Sequence, residues 1–211
     1  MAWANIIACL GALALYEFYI RRRTLKAPTK TGRSAHAAIR SDWVKSVMSR
    51  PGTEILVIQT LRNSVMAASF MATTAILALS GTVTLSGVGN SASGFWLSAH
   101  DSDDEFIIFA VKLVLLEGAF FVSFLFMAMA VRFFNHVGYI ITGEIGSDES
   151  TRKQALAIAY LNRAGLYYSL GLRAFFLSIP FLVGLFNTYL MLPATLLLIF
   201  MLYWFDDVPA I

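Results

Sequence analysis

The chain has 211 residues, 58% hydrophobic and 14% charged, with a mean hydropathy of +0.68. A soluble domain of this length needs about a quarter of its residues charged to cover its outside. That excludes a soluble domain, a disordered chain and a disulfide scaffold, and leaves an integral membrane protein.

The formal net charge of +3 is no signature of nucleic acid, and no nucleic-acid partner is expected. Nine of the sixteen Lys and Arg fall between Arg21 and Arg50, directly after an apolar segment. That is how a membrane protein marks its cytoplasmic face and its contact with anionic lipid headgroups.

Trp3 to Ile20 is apolar except for Asn5 and Glu17, long enough for about 27 Å of helix, near one hydrocarbon thickness. The positive charges Arg21 to Arg23 follow this run rather than precede it, so it reads as an uncleaved anchor with its N-terminus outside. Residues 21–54 form a basic cytoplasmic segment. Within it Ile39, Trp43, Val47 and Val44, Met48 make an apolar stripe at helical spacing, with Arg40, Lys45 and Arg50 off it. This is an interfacial amphipathic helix, ended by Pro51-Gly52.

Residues 55–211 are read as a four-helix transmembrane core. Ile55 to Leu79 is the second span. The following stretch, Gly81 to Glu105, has no Lys or Arg and carries Asp101, Asp103, Asp104 and Glu105, so it is placed outside. Ser102-x-x-Glu105 is a capping-box pattern ahead of the third span, Phe106 to Phe134. Gly143 to Ser150 is an inner loop. Thr151-x-x-Gln154 caps a long helix to Phe186, which Pro180 is expected to kink. Asn187-Thr188 is a tight outer turn, and Leu190 to Phe205 returns as a short fifth span. The fold class is therefore an all-α bundle of about five membrane helices plus one interfacial helix, with the C-terminus cytoplasmic.

Glu17, Arg62, Lys112, Glu117 and Arg173 fall within apolar spans. A charge at the bilayer centre costs upward of roughly 2.5–3.5 kcal/mol, so each needs protein or water around it. Matching depths by helical rise pairs Glu117 with Arg173 near the midplane and Glu17 with Arg62 nearer the cytoplasm. Lys112 reads best as snorkelling toward Asp101 to Glu105.

Gln59, Arg62, Asn63 and Met66 follow i, i+3, i+4, i+7, giving the second span one polar stripe. Asn162, Ser169 and Arg173 give the fourth another. Two such stripes line a permeation path or bond helices together. A surplus of Arg62, Lys112 and Arg173 over Glu17 and Glu117 makes a positive interior that favours anions. Arg132, Asn135 and His136, at an inner helix end, form a candidate contact for a phosphate or lipid headgroup.

Chemistry of other kinds finds little support. His36, His100 and His136 are too scattered for a metal site, and Cys9 lies in an apolar run where a thiol stays protonated. No Gly-rich phosphate loop, HExxH or GxSxG is present, and the spans hold no His for haem. No catalytic residue, metal or cofactor is therefore expected.

Gln59-Thr60-Leu61-Arg62-Asn63-Ser64, Arg132-Phe133-Phe134-Asn135-His136, and Gly171 to Phe176 ahead of Pro180 resemble the family catalogued as domain of unknown function 599. These are small multi-pass membrane proteins of bacteria and plants. The resemblance runs from about Arg50 to Asp206. Where that family has a Trp and then Gly-Pro after Pro180, this chain has Gly184 and Asn187-Thr188. The resemblance implies a membrane location and no agreed activity, and carries over no catalytic or cofactor residue; the expected location is a bacterial inner (plasma) membrane.

Two functions from different classes follow. One is an oligomeric channel or simple transporter for a small ion, with anions favoured. The other is a non-catalytic accessory subunit of a larger membrane complex. The expected partners are the bilayer, anionic headgroups at the basic inner face, and further copies or other subunits.

Overall fold

A computed structural model describes residues 2–26, 32–86, 103–142 and 150–206. The described residues form α1 (Ala2–Lys26), α2 (Gly32–Met48), α3 (Glu54–Ser86), α4 (Asp103–Thr142), α5 (Ser150–Phe186) and α6 (Thr188–Asp206), with no strand among them. Helices α1, α3, α4 and α5 are long and apolar enough to cross a membrane, while α6 is apolar but shorter. The all-helical membrane architecture expected from the sequence is thus what the chain adopts. Asp101, the capping Ser102, most of the Gly81–Glu105 and Gly143–Ser150 connections, and Asp207 lie outside the described residues.

Helices α4 and α5 are the central antiparallel pair. Helix α3 flanks α4, α6 flanks α5, and α1 packs on α6. Small residues let α3 approach α4: Ala68, Ala72 and Ala75 are buried there, the role small side chains play where no hydrophobic force drives helices together in lipid. At one end of the bundle Val44 and Val47 of α2 join Leu61, Phe134, Val137, Ala157 and Leu161 in a common core. At the other, Ile6 and Cys9 of α1 pack with Leu116, Phe120, Phe181 and Met191. Tyr16, Ile20, Leu198 and Leu202 close the contact between α1 and α6.

A single residue, Asn187, separates α5 from α6. Its side-chain Oδ1 accepts the Tyr189 N–H at 2.9 Å and its carbonyl accepts the Leu190 N–H at 3.2 Å. This is an N-cap that satisfies a donor the first helical turn cannot. The Asn187-Thr188 turn is therefore where the sequence put it. Helix α5 runs on through Pro180.

The helices are longer than the apolar runs implied. Helix α4 has 40 residues and α5 has 37, about 60 and 55 Å against a hydrocarbon thickness of about 30 Å. Measured from the α5–α6 corner, the whole excess of α5 lies toward α2. The far halves of α4 and α5, joined by α2 and the start of α3, make a second tier beyond one hydrocarbon thickness. Aromatic rings staple α4 to α5 there: Phe133 stacks on Tyr167 at 5.4 Å and meets Tyr160 edge-on at 5.5 Å.

Candidate functional site

An open cleft of ≈ 980 Å³ lies among α2, α3 and α5, with Phe134 of α4 in its lining. It is built around a docked α2. Arg40, Val44 and Val47 follow i, i+4, i+7, so one face of α2 carries a guanidinium above two valines. The valines enter the core, and Arg40 Nε donates to Asn162 Oδ1 of α5 at 3.1 Å. Asn162 Nδ2 in turn donates to Ser41 Oγ at 3.3 Å, and Ser41 Oγ donates to the Ala37 carbonyl at 2.8 Å.

Gly165 gives the Arg40 guanidinium room against α5. A Cβ there would stand 2.6 Å from the Arg40 Cζ, so the planar guanidinium lies where any other side chain would begin. Burial against α5 pushes the Arg40 pKa below its usual value, since the charged form loses water. Among the described residues no carboxylate stands within ion-pair distance of Arg40.

This arrangement corrects the reading of α2. Ile39, expected on the apolar stripe, is 65% exposed, and Arg40, expected off it, turns inward. Arg40 is partly buried because Asn162 gives it a polar partner and Gly165 gives it room.

The two polar stripes meet only in part. Asn63 from α3 and Asn162 and Ser169 from α5 line the cleft, but Gln59, Arg62 and Met66 do not. Those three are exposed on α3. Thr60 and Ser64, also in the lining, donate their hydroxyl hydrogens to the Leu56 and Thr60 carbonyls of their own helix. The donors they would have offered the cleft are spent, which leaves His36, Arg40, Trp43, Asn63, Tyr168 and Ser169 among the lining side chains with capacity to donate.

The buried charges are paired differently from the depth argument. Arg173 NH1 lies 3.5 Å from Glu17 Oε1. Glu17 is therefore not the partner of Arg62, and among the described residues the carboxylate within ion-pair reach of Arg173 belongs to Glu17, not to Glu117. The reason is helix length. Asn5 Nδ2 donates to the Thr188 carbonyl at 3.4 Å, which pins the start of α1 to the α5–α6 corner. Glu17 is then about 18 Å and Arg173 about 22 Å from that corner by helical rise, and α1 continues two turns past Ile20. Arg62, by contrast, follows Leu61, which sits 3.8 Å from the Cβ position of Gly138. That is about 39 Å from the corner along α4, in the second tier, where a charge needs no buried partner. Glu117 is half-buried on α4.

Lys112 is 4% exposed and does not snorkel. Its Nζ donates to the Gly184 carbonyl at 2.8 Å and to Thr188 Oγ1. The Gly184 carbonyl is among the last four of α5, which have no partner within the helix, and a cation there also complements the helix dipole. Lys112 thus locks α4 to the corner. Arg132, Asn135 and His136 are exposed on α4 and stand outside the cleft lining. His136 meets the Tyr160 ring edge-on at 5.9 Å.

Sequence reasoning missed Arg40, Gly165 and Tyr168 as members of one site. Only the α5 part of it was readable: Gly165 falls three residues after Asn162 and four before Ser169, on the same stripe. Among the described residues, no group of three His, Cys, Asp or Glu could hold a metal ion. The family described as "Protein of unknown function, DUF599" matches residues 4–209, which extends the resemblance back over α1 and α2. No curated protein and no solved structure matches the chain.

Proposed function

The chain belongs to the DUF599 family of proteins of unknown function, and from that premise and the cleft we propose an oligomeric transporter of a small anion. The single observation that carries it is Arg40: a half-buried cation, with no acid beside it among the described residues, at the head of an open cleft whose lining includes Asn63, Asn162 and Ser169. An anion entering there would take the place of a carboxylate that the described residues do not provide. The surplus of buried cations supports the choice less than the sequence implied, since Arg173 has Glu17 beside it. The basic residues of the α2 end argue for a cytoplasmic cleft in a plasma membrane.

Glu17 argues for a neighbour. Its side chain is 48% exposed, about 18 Å from the α5–α6 corner by helical rise, and an ionised carboxylate against acyl chains is unfavourable. A second copy over the exposed face of α1 would cover it. An unlike subunit in the same place is the accessory-protein reading. Sizing in native detergent separates these: a homogeneous homo-oligomer supports the first, co-purifying subunits the second.

Proteoliposomes test the transport reading. Flux of a halide, a short carboxylate or a labelled anionic lipid should appear with the wild-type protein and fall at least tenfold with Arg40→Ala. No flux of any of the three would overturn it.

A further inference from the structure

The walls of the cleft are mostly apolar, and on α5 its lining runs from Leu161 to Leu172, about 17 Å along the helix. Asn162 and Arg40 lie about 39 Å from the α5–α6 corner by helical rise, beyond one hydrocarbon thickness, whereas Leu172 lies about 24 Å from it, within the slab. Tyr168 stands between them on α5 and Trp43 also lines the cleft, ring types enriched at membrane–water boundaries. Ile39 and Leu166 line the cleft and are exposed, so its side opens toward acyl chains rather than toward a sealed lumen. The cation stands at one end, and Ala67, Leu166 and Leu172, with the Ser169 hydroxyl among them, run from there inward for about 15 Å.

A bare inorganic anion would use only the Arg40 end of such a site. We propose that the cleft binds an anionic phospholipid drawn laterally from the bilayer, its phosphate on Arg40 and one acyl chain along Ile39, Leu166, Ala67 and Leu172. The guanidinium suits this headgroup: Nε is held by Asn162, which fixes the plane of the fork, and the remaining N–H groups match phosphate oxygens. Being half-buried, the contact resists screening by salt better than the exposed basic residues of the same face. This inference rests on the reading of the cleft as an anion site and names the molecule that occupies it.

Trp43 is a built-in reporter. With Trp3→Phe, Trp96→Phe and Trp204→Phe, its fluorescence is read in vesicles of phosphatidylcholine doped with phosphatidylglycerol brominated on its acyl chains, or with equally brominated phosphatidylcholine. The anionic lipid should quench Trp43 at a mole fraction at least threefold lower than the zwitterionic one. Arg40→Gln should abolish that preference, and Arg40→Lys should restore part of it. Ala67→Trp, which fills the apolar end, is read by loss of bound phosphatidylglycerol in native mass spectrometry and leaves Arg40 intact. Equal quenching by both lipids, or a preference that survives Arg40→Gln, would overturn the proposal.

Halide flux in the same vesicles separates the two readings. Flux without lipid preference overturns the phospholipid and keeps an anion transporter. Preference without flux of any anion keeps the phospholipid and removes transport.

Discussion

A charged residue in this bundle is explained by what stands at its own height. Arg173 is 7% exposed and faces Glu17 across the α1–α5 contact. Removing the guanidinium strands a carboxylate that this chain covers only by half, so part of the cost depends on what packs against the exposed face of α1. Arg173→Ala is expected to destabilise by on the order of 1–3 kcal/mol. Adding Glu17→Gln should recover part of that loss, with a coupling of roughly 0.5–3 kcal/mol in the double-mutant cycle. Adding Glu117→Gln should give simple additivity. Reversible unfolding in mixed micelles measures both cycles, and coupling to Glu117 instead of Glu17 would contradict the pairing.

Among the elements, the corner between α5 and α6 bears the tightest constraints. Asn187 caps α6, Lys112 closes the end of α5, and Gly184 lets the two helices touch: a Cβ there would stand 2.9 Å from Met191 Sδ and 3.3 Å from Met191 Cβ. Lys112→Met keeps the stem's length and removes the ammonium, leaving the Gly184 carbonyl without its donor. The expected loss is about 1–3 kcal/mol, read as a lower melting temperature in detergent. Asn187→Ala should cost about 1 kcal/mol. If Lys112→Met is neutral, the ammonium is dispensable to the corner.

For the whole molecule the positive residues favour the proposed cytoplasmic placement of the α2 end, and labelling tests it. In a Cys9→Ala background, His36→Cys on α2 should react with a membrane-impermeant thiol reagent only from the cytoplasmic side. Thr84→Cys, at the far end of α3, should react only from outside. The reverse pattern would invert the topology.

Much of this architecture was legible in the sequence. Apolar runs, the Asn187-Thr188 turn and the segregation of basic residues gave the helices and their order, because each depends on local composition. Charge pairing was not legible. Depth arithmetic assumed that helices end where apolarity ends, and α1, α3, α4 and α5 all continue further. A few residues of extra helix shift the reference level, and the partner changes with it. The cleft escaped notice for another reason. Arg40, Gly165 and Asn162 become one site only when α2 folds back onto α5, 122 residues away along the chain for the Arg40–Asn162 bond, and nothing in local periodicity reports that contact.

The second tier has a practical corollary. A detergent belt girdles only the oily waist of a bundle, so the ends of α4 and α5 near Phe133, Tyr160 and His136 would protrude bare from the micelle. That rigid, aromatic-stapled shoulder gives even so small a membrane protein an ordered epitope, on which an antibody fragment could be raised and particles aligned for imaging.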